Sequence, residues 1–140
     1  MSLTLEQART ILAATQAKRV EEGFLPLAIA VIDAGGQLIT YDREEGCSVG
    51  RYEIAFGKAY GAVAMGVGSR TLAGKGTNFI IGATAAMGGK LVAAAGGVLV
   101  KDADGTILGA VGVSGEPVSD NDEVAAVGGI TDAGFVADAG

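Results

Sequence analysis

The apolar and polar positions divide the chain into segments with different periods. Over residues 3–22, Leu5, Ala8, Ile11, Leu12 and Thr15 recur at the spacing of one helix face, so a helix is predicted. Thr4 is its N-cap and Gly23 its stop. After Pro26, residues 27–32 form an unbroken apolar run, the signature of a strand covered on both faces. Asp33-Ala34-Gly35-Gly36 reads as a turn, and residues 37–41 return as a second strand. Residues 42–50 are polar and read as a loop. Residues 52–67 are helical, with a packed side of small residues at Ala55, Ala59, Ala62 and Gly66. Another helical turn is expected over 69–74 and a loop over 75–78. The apolar stretch 79–87 fits either a short helix or a covered strand.

Residues 96–115, GGVLVKDADGTILGAVGVSG, organise the rest. Asp102-Ala103-Asp104-Gly105 is a hairpin turn between two strands. Alternation along the second strand directs Ile107, Val111 and Val113 to one face and Ala110, Gly112 and Ser114 to the other. The second face is nearly bare, which lets another backbone, a helix or a ligand come close. Beyond Pro117, Ser119 with Asp122, or Asp120 with Glu123, has capping-box spacing and opens a last helix running to about residue 136. The order helix, hairpin, helices, hairpin, helix gives an α/β (α+β) chain: a mainly antiparallel sheet with helices packed on it, in one domain over residues 1–140.

Composition narrows the chemistry. Aromatic residues make up 5% of the chain and glycine contributes 24 residues, so the core is built of Ala, Val, Ile and Leu with glycine at close contacts. A net charge of −6 argues against nucleic acid as a partner, and no basic run suggests a membrane surface. Cys47 is the single cysteine, which excludes an internal disulfide and favours a reducing compartment. With no secretory or transmembrane pattern in the sequence, a cytoplasmic location is the expectation. Histidine is absent, removing the commonest metal ligand and general base. No metal-ligand set and no phosphate loop is present.

A few side chains remain as candidates. Arg43 could clamp a carboxylate or pair with a nearby acid. Lys58 interrupts a small, apolar helix face. Desolvated there, it could act as base, electrophile or anion clamp; alternatively its stem lies along the helix and its ammonium reaches water or a carboxylate. Glu116, Asp120, Asp122 and Glu123 cluster where the last helix begins, where the helix dipole alone accounts for carboxylates. Glu45 or Glu116 could carry a proton in an enzymatic reading, with Lys58 as the catalytic base. Cys47 has no histidine to activate it.

The runs VIDAGGQLI, IAFGKAYGA, AGGVLVKDADGTILGAVGVSG and SDNDEVAAVGGI, with Arg43 in the loop after the first of them, resemble the haem-degrading HbpS-like family, which includes GlcG-like proteins and the C-terminal domain of PduO-like proteins. The resemblance spans about residues 5–130. It implies a profilin-like sandwich with about five strands and a homo-oligomer built from dimers, often an octamer. It also implies haem as a possible cofactor. With no histidine for the iron, the oxygen ligands on offer are Thr71, Thr77 and Thr84, or the phenols of Tyr52 and Tyr60. The leading expectation is a small-ligand-binding protein, for haem or a small organic acid or carbonyl compound. Its site would be a cleft between protomers near Arg43, Glu45, Tyr52, Phe56 and Lys58. A lyase- or isomerase-type enzyme using Lys58, Arg43 and Glu116 is the alternative, and a purely structural assembly module a third.

Overall fold

The computed structural model describes residues 1–140. Its elements in chain order are α1 (Leu5–Glu22), β1 (Ala28–Asp33), β2 (Leu38–Arg43), α2 (Arg51–Met65), α3 (Ser69–Ala73), α4 (Thr77–Ala86), β3 (Gly97–Lys101), β4 (Ile107–Ser114), α5 (Ser119–Asp132) and β5 (Val136–Asp138). The five strands form one sheet in the order β2-β1-β4-β3-β5, with every pair antiparallel. This is the expected α+β architecture. No helix is long and apolar enough to cross a membrane.

The sheet separates two layers. Leu27, Ile29, Val31, Val98, Val111 and Val113 meet α1 and α5 in the main core. Ala28, Ala30, Ile32, Leu99 and Ala110 meet α2 on the opposite face. Central strand β1 is therefore covered on both sides, as its unbroken apolar run requires. Helix α1 buries Ala8, Ile11, Leu12 and Thr15 and carries a complete Thr4–Gln7 capping box. Leu5, expected on that face, is 46% exposed, because it sits in the first turn beyond the edge of the core.

The bare strip of β4 receives a backbone, as expected. A Cβ at Gly112 would lie 1.8 Å from the carbonyl oxygen of Ala55, and one at Gly97 would lie 2.1 Å from that of Lys58. Helix α2 thus rests directly on the sheet where two neighbouring strands both lack side chains, and its own small residues Ala55, Ala59 and Ala62 complete the fit.

Four expectations are corrected. Ile107 does not share a face with Val111 and Val113. Val100 pairs with Gly109 but Lys101 pairs with Ile107, so Leu108 is an extra residue that reverses the alternation. Ile107 therefore packs on the α2 side, while Leu108 joins the main core. Thr77 and Asn78, expected in a loop, open helix α4 (Thr77–Ala86), which takes the helical one of the two alternatives for 79–87. The last helix stops at Asp132: Gly134 adopts φ +91°, and Val136–Asp138 becomes an edge strand on β3. Its N-cap is Val118, with no side-chain cap, in place of the expected Ser119 or Asp120; Asp120 and Glu123 bond Arg70, and Asp122 bonds Lys58 and the Glu116 amide.

Candidate functional site

Helix α2 presents two different sides. Tyr52, Phe56 and Tyr60 follow one another at four-residue intervals on its half-buried outer side, so one helical turn separates successive rings. The Tyr52 and Phe56 centroids are 6.0 Å apart, and those of Phe56 and Tyr60 5.9 Å, with interplanar angles of 28° and 26°. Tyr41 of β2 meets Tyr52 edge-on at 4.8 Å. All three tyrosines of the chain thus stand in one continuous aromatic ridge. Cations stand at both ends. Lys90 Nζ lies 5.3 Å from the Tyr60 ring centroid. Arg43 is two residues from Tyr41 on the same strand, hence on the same face, and its guanidinium donates to the carbonyl of Cys47 at 2.7 Å. Arg51, at the start of α2, donates to Ser114 Oγ at 3.0 Å.

The hydroxyl of Tyr41 is buried and has no hydrogen-bond partner, the one side-chain polar atom of the chain in that state. Burial pushes its pKa up, so it holds its proton and remains a donor. Cys47 lies under the same end of the ridge, 6% exposed, and burial raises its thiol as well. It is an inert packing residue and not a thiolate.

The other side of α2 carries Lys58, 1% exposed. Its Nζ donates to the Val113 carbonyl at 2.9 Å and to Asp122 Oδ2 at 3.0 Å, while Asp122 Oδ1 accepts from the Glu116 amide at 3.0 Å. This pair ties α2 to α5, helices that belong to opposite layers of the sandwich. Burial lowers the Lys58 pKa and raises that of Asp122, and the charge of each partner opposes the shift of the other.

The structure therefore gathers Tyr52, Phe56 and Arg43 along one surface but withdraws Lys58 from it. Lys58 lies in the interior with its ammonium held by two acceptors, and it lines neither of the two cavities of the chain. Glu45 is exposed on the loop after β2. Glu116 accepts from the Leu25 amide and from Asn121 Nδ2, joining the chain before β1 to the start of α5. Asp120 and Glu123 hold Arg70. Of the possible oxygen ligands, Thr77 is exposed on α4, Thr71 is half-buried on α3 and Thr84 half-buried on α4. Sequence reasoning missed Tyr41 and Lys90, and took Asp122 for a helix-capping residue where it is the buried partner of Lys58. The alternation that pairs Tyr41 with Arg43 could have found the first. The other two are brought in by long-range packing.

Two cavities open at the surface. A groove of about 540 Å³ lies between α1 and α5, lined by Lys18, Arg70, Asp120 and Glu123 among others. A smaller one of about 200 Å³ is lined by Leu25, Cys47, Ser48 and Arg51 among others. No group of three His, Cys, Asp or Glu residues could hold a metal ion.

Comparison with known proteins agrees with this architecture. Residues 3–131 match the family model described as haem degrading protein HbpS-like. The crystal structure of a PduOC:haem complex superposes with a TM-score of 0.85 at 23% identity, covering 96% of this chain and 97% of that one. The crystal structure of HbpS gives 0.80 at 29% identity, covering 94% and 90%. Klebsiella pneumoniae protein ORFY gives 0.81 at 23% identity, also covering 94% and 90%. No curated protein sequence matches the chain. A family match over nearly the whole length, on the sandwich that the packing of α2 against a bare sheet strip explains, leads to one conclusion: the chain belongs to the haem-degrading HbpS-like family.

Proposed function

We propose that this protein binds a flat, anionic small molecule on the aromatic ridge of α2, with haem as the foremost ligand, and does so as a homo-oligomer. The observation that carries the reading is the ridge itself. Tyr52, Phe56 and Tyr60 form a row of half-exposed rings with a cation at either end, beside the unpartnered hydroxyl of Tyr41. An aromatic side chain has about 150–250 Å² of surface in all, and the exposed part of each ring is what a ligand would cover. A half-exposed row of such rings in a chain with so few aromatics favours binding over simple packing.

The residues present fit a porphyrin in part of its chemistry. The rings suit the apolar faces of the macrocycle, and Lys90 and Arg43 suit its carboxylates. Histidine is absent and the Cys47 thiol is buried with its pKa pushed up, so the phenols of Tyr52 and Tyr60 are the groups of the ridge that would hold the iron. Haem, when bound, would supply a redox-active iron; the chain's part would be to hold and orient it. Related structures supply independent support, since the PduOC neighbour was solved as a haem complex. The enzymatic alternative loses its base, because Lys58 is sealed inside with Asp122.

A haemin titration followed in the Soret region tests the reading. A saturable shift is expected, weakened at least about tenfold by Phe56→Ala or by Lys90→Glu, which corresponds to about 1.4 kcal/mol. A shift that never saturates, or one indifferent to both substitutions, removes the ridge as the site.

A further inference from the structure

Arg51 is a half-buried guanidinium of which its own chain uses one side. Its Nη1 donates to Ser114 Oγ at 3.0 Å, and Ser114 is fully buried on β4, so the group is fixed from the sheet. Its other edge, Nε with Nη2, has no acceptor within the chain, and Arg51 belongs to no ion pair. Two other arginines show what that edge takes in this protein. Arg19 sets Nε and Nη2 on Glu44, and Arg70 sets the same two nitrogens on Glu123. Arg43 also donates through Nη1 alone, but it is exposed to water, which satisfies its remaining donors.

Arg51 lines the cavity of about 200 Å³ at the start of α2, together with Leu25, Pro26, Cys47, Ser48 and Gly115. At about 30 Å³ per water, that space equals about six or seven waters, enough for a short organic acid and too little for a macrocycle. No residue of the aromatic ridge lines it. The charges around it favour an anion. The guanidinium charges of Arg51 and Arg43 both reach Cys47. The carboxylates that approach are engaged: Glu44 is paired with Arg19, and Asp122 with Lys58. Glu116, next to Gly115, sets its two oxygens on the Leu25 amide and on Asn121 Nδ2. Helix α2 begins at Gly50 with no side-chain cap, so the positive end of its dipole adds to the field.

We propose that this cavity is a second binding site, for a short-chain carboxylate, whose two oxygens take the Nε and Nη2 edge of Arg51 while its carbon chain lies against Pro26 and Cys47. The contact is the bidentate fork that Arg19 and Arg70 make within the chain, here left for a ligand. Because Ser114 holds the guanidinium beforehand, little side-chain freedom is lost on binding. The site stands apart from the ridge and is independent of haem binding there.

Acetate is the probe, titrated at constant ionic strength against chloride and followed by proton–nitrogen NMR. Saturating shifts are expected at the Arg51 Nε–H and at the Cys47 and Ser48 amides, in the millimolar range that suits so few ligand atoms. Arg51→Lys keeps the charge and loses the fork. It should weaken binding at least about tenfold while far-UV circular dichroism is retained. Arg70→Lys, at a fork already filled by Glu123, should leave acetate binding unchanged. Shifts that never saturate, or that are equal in Arg51→Lys, overturn the proposal. So does inorganic phosphate that saturates the same signals more tightly than acetate. Cys47, the single cysteine, gives a readout on the native chain that depends on no variant folding. Its alkylation by neutral iodoacetamide should slow several-fold as acetate fills the cavity, with half the effect at the NMR midpoint. An alkylation rate indifferent to acetate also overturns it.

Discussion

Replacing Lys58 by Met tests how the two layers of the sandwich are joined. Met keeps most of the stem and removes the ammonium, leaving Asp122 with one partner, the Glu116 amide, in a site where it is 1% exposed. Breaking a buried pair by removing one member costs about 3–5 kcal/mol, because the other charge stays behind uncompensated. Set against a total stability of about 5–15 kcal/mol, that is a large share of the folded state's margin. The double variant Lys58→Met/Asp122→Asn removes both charges and keeps an acceptor for the Glu116 amide. It should recover at least about 1 kcal/mol relative to Lys58→Met. The pH dependence has a definite sign. Without the amine, burial holds the Asp122 pKa above its ordinary 3.8 with less opposition. A carboxyl whose folded pKa is raised contributes stability that is full below the unfolded pKa and lost as pH rises through the folded value. Lys58→Met should therefore be less impaired near pH 4 than near pH 8, each relative to the native chain. Urea unfolding followed by circular dichroism at both pH values measures all three quantities. A loss below about 1 kcal/mol for Lys58→Met, or a double variant no better than the single, would refute the claim that the pair is a buried, mutually dependent junction.

Three further outcomes follow from the packing and the charges. Gly112→Ala should destabilise by at least about 2 kcal/mol, since its Cβ meets the Ala55 backbone oxygen at 1.8 Å, whereas Gly76→Ala, with open space around it, should cost well under about 1 kcal/mol; thermal or urea unfolding separates them. Cys47 should react with a thiol reagent at neutral pH far more slowly than it does in urea, because the folded thiol is both covered and raised in pKa. Asp138, bonded by Lys101, titrates below the ordinary 3.8, so its contribution is present above that value and lost as pH falls through the lower folded one. Carboxyl NMR should show the Asp138 titration midpoint rise toward 3.8 in Lys101→Met.

Local pattern and tertiary packing determined different parts of this protein. The sequence alone set the helix over residues 5–22, both hairpins and the close approach to β4, because each depends on a short-range signal: a capping box, Asp-Gly turn chemistry, or glycine alternating with bulky residues. It also named Tyr52 and Phe56 as site residues, which the helix brings side by side because residues four apart are neighbours on it. Packing decided the rest. The extra residue at Leu108 reversed the side to which Ile107 points, and no local rule marks where a ladder slips. Lys58 and Asp122 are 64 residues apart, and only the contact between opposite layers turns a candidate base and a candidate helix cap into one buried ion pair. Lys90 reaches Tyr60 because the segment after α4 is drawn along α2, and Tyr41 joins the ridge because the edge strand β2 lies beside that helix's first turn. Helix α4 folds without burying a residue, so an apolar run that reads as core stands at the surface. Periodicity records which residues need cover; the fold determines whether that cover comes from within the chain.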